Sequence, residues 1–355
     1  MATVAIGLMS GTSRDGIDAA LIRTDGEWLV EPLDFRTVAY DDGFRTRLAD
    51  ACARAMAMPA PAPDPLIDAV AAELTGRHAA LIAGWQADVI GFHGHTVAHR
   101  PDRGWTWQIG DGAALARAAG MAVVGDLRGD DVRAGGQGAP LLPVYHRALA
   151  ADLEKPLAIL NLGGVANITF IGADGTLIAF DTGMASGLID DWMRAEAGRP
   201  YDEGGMTAAT GKVSATILDA MLDNPWFDEA PPKSIDREDF TIQPVRGLSL
   251  ADGAATLTAF TARSVALGLR LLPVPPLRIL VAGGGRHNAT LMRTLRRETG
   301  LPVESIDLLG ADGDAVEAQG FAYMAVRALA GLPISFPGTT GAPEPITGGT
   351  LHRPD

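Results

Sequence analysis

The feature that most constrains the fold is a pattern of strand, glycine-bearing polar turn and strand that occurs twice in the 355-residue chain. The first copy has alternating apolar residues over 4–8, a polar turn over 10–16 and an apolar run over 17–22. The second copy has an apolar strand over 157–162, a Gly-Gly turn and a strand over 168–171. An Asp-Gly turn and a further strand follow each copy, so the sequence predicts an internal duplication of one α/β unit.

The first turn has the composition of an anion-binding loop. Its residues are Gly11, Thr12, Ser13, Arg14, Asp15 and Gly16. Glycine lets backbone N–H groups approach a ligand closely, and hydroxyls add donors for phosphate oxygens. Asp15 and Asp18 are suited to hold a hydrated metal ion beside them. For this turn taken alone, an ordinary β-hairpin with a polar loop is the favoured explanation.

The presence of two such turns favours a nucleotide-binding protein. Two facing phosphate loops on two lobes are the arrangement of the actin-like, hexokinase-like and Hsp70-like ATPases. We therefore predict an α/β fold with two lobes, built from duplicated ribonuclease-H-like domains, with the active site in the cleft between the lobes. The N-terminal lobe is predicted to span residues 1–128, completed by about 315–355, and the C-terminal lobe to span 129–314.

The composition is that of a globular protein and excludes several functions. Hydrophobic residues make up 47% and charged residues 20% of the chain. The net charge of −14 provides no basic surface, so nucleic-acid binding is not expected. Cys52 is the only cysteine, which excludes an intrachain disulfide and favours a reducing compartment. With neither a signal peptide over residues 1–9 nor an apolar run of about 18 residues, we predict a cytoplasmic protein without a membrane span.

Three histidines follow a short predicted strand over 89–92. His93, His95 and His99 lie within seven residues, and this spacing makes zinc one explanation. No cysteine lies nearby, and the segment is predicted to be a loop closed by an Arg-Pro pair. Imidazoles that hydrogen-bond a polar ligand are therefore favoured over zinc, and a plain surface loop remains an alternative.

A charged, glycine-rich segment over 125–140 contains two arginines that are candidates for anion binding. Arg128 and Arg133 can each bind a carboxylate with two parallel hydrogen bonds. The alternative is a flexible linker between domains, and the two interpretations are compatible.

In the second half, Asp181 follows an apolar strand over 177–180. A carboxylate there can act as a general base or anchor a metal, and the alternative is a cap for a helix predicted over 187–197. A buried strand over 277–282 then ends in three glycines, 283–285, which suits close approach to a nucleotide. The spacing does not match GxGxxG, so NAD is disfavoured.

Near the end of the chain, Asp312 and Asp314 are predicted to cap a helix over 315–329. Glu317 falls in the first turn of this helix, where the dipole favours a carboxylate. The stretch over 333–355 is rich in proline and glycine and is expected to lack regular structure.

Together these segments resemble the anhydro-N-acetylmuramic acid kinase family. The similar stretches, in order, are residues 7–18 (GLMSGTSRDGID), 91–96 (GFHGHT), 108–112 (QIGDG), 126–140, 161–169 (NLGGVANIT), 180–183, 231–238, 282–288 and 337–342 (PGTTGA). They cover nearly the whole chain, which makes the resemblance more specific than any single motif.

The resemblance implies an ATP- and Mg²⁺-dependent kinase of peptidoglycan recycling, expected to form a homodimer. The family reaction opens the 1,6-anhydro ring of the sugar with water and phosphorylates O6. Asp181 would be the general base, and Asp15 and Asp18 would bind the metal. Contacts to ATP would come from Gly11, Thr12, Ser13, Arg14, Asp15, Gly16, Ile17, Asp18, Gly163, Gly164, Asn167, Gly283, Gly284, Gly285 and Asn288. Contacts to the sugar would come from His93, Thr96, Glu317 and Arg128, the last through the lactyl carboxylate.

The chain departs from the family pattern at a few positions. The triplet 184–186 reads Met-Ala-Ser where the family usually has Pro-Gly-Asn, and Arg14 replaces an apolar residue. His95 replaces the usual Gln, and Asp236 stands in place of Gly. Two other functions remain alternatives: a kinase of a related anhydrosugar such as levoglucosan, and a non-catalytic sugar-responsive protein of the same fold.

Overall fold

The secondary structure alternates strands and helices along the chain, as seen in a computed structural model that describes residues 2–235, 239–310 and 312–355. The first strands are β1 (Thr3–Ser10), β2 (Gly16–Thr24), β3 (Val30–Ala39), β4 (Val89–Arg100), β5 (Trp105–Ile109) and β6 (Ala122–Gly125). The helices among them and after them are α1 (Asp42–Met56), α2 (Pro65–Leu81), α3 (Gly112–Ala119), α4 (Gly129–Arg133) and α5 (Pro143–Leu149).

The rest of the chain begins with a second set of strands and ends with a helical segment. The strands are β7 (Leu157–Leu162), β8 (Val165–Ile171), β9 (Leu177–Met184), β10 (Ile279–Ala282) and β11 (Val303–Ser305). The helices are α6 (Ser186–Ala197), α7 (Met206–Thr210), α8 (Ala215–Leu222), α9 (Leu250–Leu269) and α10 (Ala289–Thr299). The final elements are α11 (Val316–Leu329), α12 (Pro337–Thr340) and β12 (Thr350–His352).

The strand order is the same in the two sheets. One sheet has the order β3-β2-β1-β4-β6 and the other the order β9-β8-β7-β10-β11. In each sheet the first three strands in sequence pair antiparallel, and the remaining neighbours pair parallel. The first sheet adds β5 beside β4 and β12 beside β6, both antiparallel. The repeated order confirms the predicted duplication of a ribonuclease-H-like unit.

The chain divides into two compact units. One comprises the chain up to Ala151 together with Ala315–Asp355, and the other comprises Asp152–Asp314. The C-terminal segment therefore completes the first unit. The first division falls after Ala151, whereas the sequence analysis placed it after residue 128.

The segment over 125–140 is bound to the first unit and is not a flexible linker. Asp131 in α4 is buried and accepts hydrogen bonds from Gly138 N (2.6 Å), Thr340 Oγ1 (2.6 Å) and the Ser335 hydroxyl. These bonds tie the segment to the C-terminal residues, which form α12 and β12. The expectation that residues 333–355 lack regular structure is therefore wrong, because β12 pairs with β6, a contact that local sequence does not reveal.

Helix α11 lies directly against the centre of the first sheet. A Cβ on Gly7 in β1 would lie 1.7 Å from Ala318 O, and one on Gly91 in β4 would lie 2.0 Å from Phe321 O. Only glycine allows such an approach of sheet and helix backbones. This packing brings the first turn of α11, with Glu317, to the end of the sheet where the turn after β1 lies.

Each unit has its own hydrophobic core. In the second unit, side chains from β7 to β10 pack against α9 and α10, with Leu160, Val281 and Leu291 fully buried. In the described ranges of the chain, no helix is both long and apolar enough to cross a membrane.

Candidate active site

The turn between β1 and β2 is closed by backbone hydrogen bonds and open to solvent. Arg14 N donates to Gly11 O (3.1 Å), and Tyr40 N donates to Asp15 O (2.9 Å). The Asp15 carboxylate accepts from Ser13 Oγ at 2.8 Å. A Cβ on Gly11 would meet only Ser13 Oγ, at 3.4 Å, so the backbone at Gly11 is accessible to a ligand.

Gly16 and Ile17, two residues predicted to contact ATP, are required for packing and strand pairing. A Cβ on Gly16 would lie 2.4 Å from Val38 O, so glycine is required for the pairing of β2 with β3. Ile17 is fully buried in the core formed with α1 and α2. Any contact of these two residues with a ligand must therefore come from the backbone.

A buried hydrogen-bond chain lies beneath the turn, and the sequence analysis did not find it. Ser10 Oγ is 2.6 Å from Tyr40 Oη and 2.8 Å from His95 Nδ1, and all three residues are buried. Burial raises the pKa of Tyr40 to about 12, so the phenol is neutral. Tyr40 therefore contacts both ends of the turn, Ser10 through its hydroxyl and Asp15 through its backbone. No local signal marks it, because Tyr40 lies 30 residues from Ser10.

The charge of Arg14 lies close enough to this hydrogen-bond chain to affect the pKa of His95. Arg14 has a φ of 58°, in the left-handed region, as the closed turn requires. Burial, and then the charge of Arg14, lower the pKa of His95 to about 4. His95 is thus a neutral core imidazole, with Cys52 Sγ 3.7 Å from its Nε2.

A β-bulge separates His93 from His95. Strand β4 continues through Arg100, so the prediction of a loop after residue 92 is wrong. The register against β1 shifts by one residue between Leu8 and Ser10, and Gly94 has a φ of 68°. The bulge turns the His93 ring onto Phe321 of α11, at a centroid distance of 4.6 Å. Among the described residues, no group of three or more metal-ligating side chains is present, so nothing supports the zinc alternative.

His93 and Arg128 form an oriented pair. Arg128 Nε donates to His93 Nε2 (3.0 Å), and His93 Nδ1 is 2.9 Å from Gly94 O. His93 is therefore neutral with its proton on Nδ1, in agreement with burial and the nearby Arg128 charge, which place its pKa well below the ordinary value. Burial lowers the pKa of Arg128 to about 10, so the guanidinium stays charged.

The remaining donors of Arg128 are available to a ligand. Its Nη1 donates to Gly138 O at 2.8 Å, so two of the five N–H groups bind protein atoms within the described part of the chain. Arg133, the other candidate, pairs instead with Asp130 and Asp126 on the surface. Of the two arginines, Arg128 is the one whose side chain is oriented by hydrogen bonds to protein atoms without a paired carboxylate among the residues that the structure describes.

Thr96 lies farther along β4, beyond the bulge. Its hydroxyl accepts a hydrogen bond from Gln108 Nε2 at 3.1 Å, and Gln108 also donates to Thr106. The side chain is half-buried, and its hydroxyl proton can still be donated to a ligand.

Two carboxylates of the first unit affect the pKa of a third, Glu317. Burial raises the pKa of Glu317, and the charges of Asp18 and Asp15 raise it further, while Arg128 opposes the shift. The carboxylates of Asp15 and Asp18 therefore lie near the first turn of α11. A hard divalent cation prefers such oxygen ligands, often one or two carboxylates with substrate phosphates completing the shell, so these residues fit Mg²⁺.

In the second unit, three polar residues form a row across adjacent strands. Asn161 in β7 pairs with Asn167 in β8, which pairs with Asp181 in β9. Residues directly opposite in antiparallel strands share a face, and all three are half-buried among otherwise buried strands. Asn161 was not among the predicted site residues, although a polar residue at the end of an apolar strand before Gly-Gly is a usable signal.

Asp181 is held by the segment over 233–235. Asp181 N donates to Lys233 O (2.9 Å), and Asp181 Oδ2 accepts from Ile235 N (3.0 Å). The alternative that it caps the following helix is wrong, because α6 begins after Ala185 and has no side-chain cap. Residues 236–238, the remainder of the motif noted at 231–238, lie outside the described residues.

The Gly-Gly turn binds the start of α6 through its carbonyls. Gly163 O accepts from Ser186 N (2.9 Å), and Gly164 O accepts from Ala185 N (3.0 Å). Gly164 is exposed, and a Cβ there would meet nothing within 4 Å, so this backbone is accessible to a ligand. The unusual triplet 184–186 thus lies directly against the turn.

Of the three glycines over 283–285, two are required by close packing, and the third leaves its backbone accessible to a ligand. A Cβ on Gly283 would lie 2.4 Å from Asn161 Oδ1, and one on Gly285 would lie 2.5 Å from Leu162 Cβ. Gly284 has no neighbour within 4 Å of its Cβ position and is accessible. Asn288 caps α10, accepting from Leu291 N at 2.9 Å.

The expected cap of α11 is absent from the described residues. The helix begins after Ala315 without a side-chain cap. Asp314 instead pairs with Arg286 (2.7 Å), which also contacts Asp307. These ion pairs fasten the segment before α11 to the residue that follows the three glycines.

A cavity of about 410 Å³ in the second unit contains none of the predicted site residues. It is lined by parts of α7, α9 and α10, including Thr258 and Arg293. The accessible glycines and the polar row are a better marker of a ligand site than this cavity.

Comparison with known proteins gives matches over the whole chain. The model of a family described as anhydro-N-acetylmuramic acid kinase matches residues 3–354. A protein of that name from Rhizorhabdus wittichii is 64% identical over 99% of this chain and 99% of its own length. One from Zymomonas mobilis is 54% identical over 98% and 99%, and one from Acidiphilium cryptum 52% over 99% and 98%. Among solved structures, a ROK family glucokinase from Streptomyces griseus matches at 15% identity over 91% of this chain and 99% of its own, with a TM-score of 0.42.

Proposed function

Because the chain belongs to the anhydro-N-acetylmuramic acid kinase family, we propose that it opens the 1,6-anhydro ring of anhydro-N-acetylmuramic acid with water and phosphorylates O6. The products are N-acetylmuramic acid 6-phosphate and ADP. The observation that supports this most strongly is the oriented Arg128, which His93 and Gly138 O hold while its other donors remain available for a carboxylate. The lactyl carboxylate is the group of this sugar that such a donor set recognises.

The reaction needs a base, and Asp181 is the proposed one. Water attacks the anomeric carbon and transfers a proton to the Asp181 carboxylate, while the bond from that carbon to O6 breaks. The O6 alkoxide released by ring opening then attacks the γ-phosphorus of ATP, and ADP leaves. One water is consumed and one phosphoryl group transferred, so opening and phosphorylation form one connected sequence.

The groups around Arg128 would bind the rest of the sugar. His93, neutral and protonated on Nδ1, orients Arg128 through Nε2. Glu317, whose pKa burial and the nearby carboxylates raise, suits a hydrogen bond to a sugar hydroxyl. Thr96 adds a hydroxyl on the same strand as His93.

The accessible glycines would bind ATP. The turn over 11–16 and the Gly-Gly turn at 163–164 offer backbone N–H groups to phosphate oxygens, and Gly284 offers an approach for the adenosine side. Asp18, Asn167 and Asn288 would complete these contacts. Mg²⁺ held by Asp15 and Asp18 would neutralise phosphate charge during transfer.

The proposal extends to the setting of the reaction. The substrate is an anhydro-amino-sugar released when peptidoglycan is degraded, so the enzyme would act in cell-wall recycling in the cytoplasm, as a homodimer.

Two alternatives are less well supported. Levoglucosan has no lactyl carboxylate and would leave Arg128 without its anionic partner. A non-catalytic protein would have no need to retain the carboxylates at 15, 18 and 181 together with both glycine turns.

The test is release of ADP in the presence of Mg-ATP and three sugars: anhydro-N-acetylmuramic acid, levoglucosan and N-acetylmuramic acid. We expect turnover with the first alone. Turnover with levoglucosan of equal efficiency would contradict the role of Arg128. Asp181→Asn is expected to bind both substrates and lose turnover by a factor of about 100 or more, and near-normal turnover would refute its role as base.

A further inference from the structure

The orientation of Asp181 depends on a short stretch of neighbouring backbone. Lys233 O accepts from the backbone N of Asp181, and Ile235 N donates to its carboxylate, at 2.9 and 3.0 Å. Only Ser234 separates the two contacts along the chain. The path of residues 233–235 therefore sets the direction of the carboxylate.

The Lys233 side chain fixes this path. Its ammonium donates to Trp226 O (2.7 Å) and Phe227 O (2.9 Å), near the C-terminal end of the 3₁₀ helix Pro225–Asp228. Trp226 O also accepts from Glu229 N at 3.2 Å, so the ammonium adds a second, charge-assisted hydrogen bond to this carbonyl. The ammonium also lies 4.2 Å from the centre of the Trp226 ring.

The side chain of Trp226 makes a further contact with this loop. Its indole Nε1 donates to Ser234 O at 3.2 Å. The carbonyl oxygen of Trp226 thus accepts from the Lys233 ammonium, and the indole of Trp226 donates to the carbonyl oxygen of Ser234, the residue after Lys233. The segment over 226–235 is held in one conformation by these reciprocal contacts.

The environment of Lys233 argues against a direct contact with phosphate. The side chain is half-buried, and its ammonium already bonds two carbonyls. Burial lowers the pKa of Lys233, and the nearby charges of Glu229 and Asp228 oppose the shift. The Lys233 ammonium therefore binds carbonyl oxygens of its own loop.

We propose that Lys233 is a positioning residue that holds the 233–235 backbone against Asp181. This inference rests on the proposed role of Asp181 as the base, because only then does its orientation affect turnover. Loss of the ammonium frees the loop from the 3₁₀ helix and lets the Ile235 N–H group leave the carboxylate.

The first test does not depend on catalysis. Hydrogen–deuterium exchange is measured on the full chain and on Lys233→Met, which keeps side-chain length but removes the charge. We expect faster exchange in peptides containing Ile235 and the backbone of Asp181. The matched control is Lys212→Met, an exposed lysine of the same unit, which is expected to exchange as the unchanged chain does. Unchanged exchange in Lys233→Met overturns the proposal.

The second test is kinetic and includes a double variant. We expect Lys233→Met to lower kcat about ten- to a hundredfold, with KM for both substrates nearly unchanged, because misplacement of a base by about 1 Å has effects of this size. In the Asp181→Asn background, Lys233→Met should have no additional effect.

The outcomes separate this inference from the proposed function. If Asp181→Asn abolishes turnover but Lys233→Met does not lower kcat, the positioning role is refuted and the proposed function stands. An equal loss from Lys233→Met in both backgrounds also refutes action through Asp181. If Asp181→Asn remains active, the base assignment fails, and with it the positioning role.

Discussion

At the residue scale, the guanidinium of Arg128 is oriented by protein atoms and still has N–H donors for a ligand. His93 and Gly138 O bind two of its N–H groups and fix the plane of the guanidinium. Lysine cannot reproduce this arrangement, because an ammonium is a point charge without the planar fork of donors.

We therefore expect Arg128→Lys to raise KM for the anhydrosugar about ten- to a hundredfold, the loss of roughly 1.5–3 kcal/mol from a charge-assisted hydrogen bond. KM for ATP should change little. The measurement is initial-rate kinetics with each substrate varied in turn. Arg133→Lys, on the surface of the same segment, is the matched control, and equal effects of the two changes would contradict the assignment.

Tyr40 is the second residue whose function depends on position. Its hydroxyl and its backbone contact the two ends of the first turn and so link them through two hydrogen bonds. Tyr40→Phe leaves the backbone contact and removes the hydrogen bond to Ser10.

For Tyr40→Phe we expect a three- to tenfold weaker affinity for Mg-ATP, corresponding to about 1 kcal/mol for one hydrogen bond. Affinity for the sugar should be unchanged, and isothermal titration calorimetry measures both. Tyr201→Phe, which alters an exposed tyrosine, should have no effect. Equal weakening toward both ligands would indicate a general loss of structure in place of a role in the turn.

At the element scale, contact between β4 and α11 depends on the absence of side chains. The Cβ of an alanine at position 91 would lie 2.0 Å from a backbone oxygen of α11, which cannot move without shifting the helix. By contrast, Gly76 lies inside α2 with nothing within 4 Å of its Cβ position.

The same substitution should therefore have opposite effects at the two positions. Gly91→Ala is expected to lower the free energy of unfolding by about 3 kcal/mol or more, as overpacking does. Gly76→Ala is expected to raise it by up to about 1 kcal/mol, because alanine favours the helix. Urea unfolding of both variants measures this, and destabilisation by Gly76→Ala would contradict the reasoning.

The sequence was informative where structure depends on local pattern. The two hairpins and the strand at 157–162 follow from periodicity and local residue types. The full length of β4 and the pairing of β12 with β6 depend on partners far away in the chain. The contacts of Tyr40 with Ser10 and of the Lys233 loop with Asp181 were not predicted for the same reason, whereas Asn161 had a local signal that was overlooked.

At the scale of the whole molecule, buried histidines determine how stability responds to acid. Burial lowers the pKa of His78 and of His95 to about 4 and that of His146 to about 3, and the pKa of His93 is also well below its ordinary value. The unfolded chain binds these protons near pH 6.5, and the folded chain does not. Stability is therefore complete above about pH 6.5 and falls as the pH drops toward 4.

His78, His95 and His146 should each contribute about 1.4 kcal/mol of lost stability at pH 5.5, one unit below the unfolded value. Glu317 acts in the opposite direction, because its raised pKa means that protonation favours the folded state. Urea midpoints between pH 7.5 and 5.5 measure the sum. We expect His78→Leu to reduce the dependence of the urea midpoint on pH, and a pH-independent midpoint for the unaltered chain would contradict this prediction.

The placement of α11 also has a consequence for synthesis on the ribosome. The helix that covers β1 and β4 is translated after the whole of Asp152–Asp314, which is contiguous and contains its own core. The nascent chain therefore presents a sheet face that lacks its helix until α11 emerges, while the contiguous unit Asp152–Asp314 can already fold. Assembly of the first unit is thus delayed until α11 has been translated. A ribosome that stops before α11 releases a chain in which only the second unit can be complete, with an apolar sheet face accessible to chaperones or to aggregation.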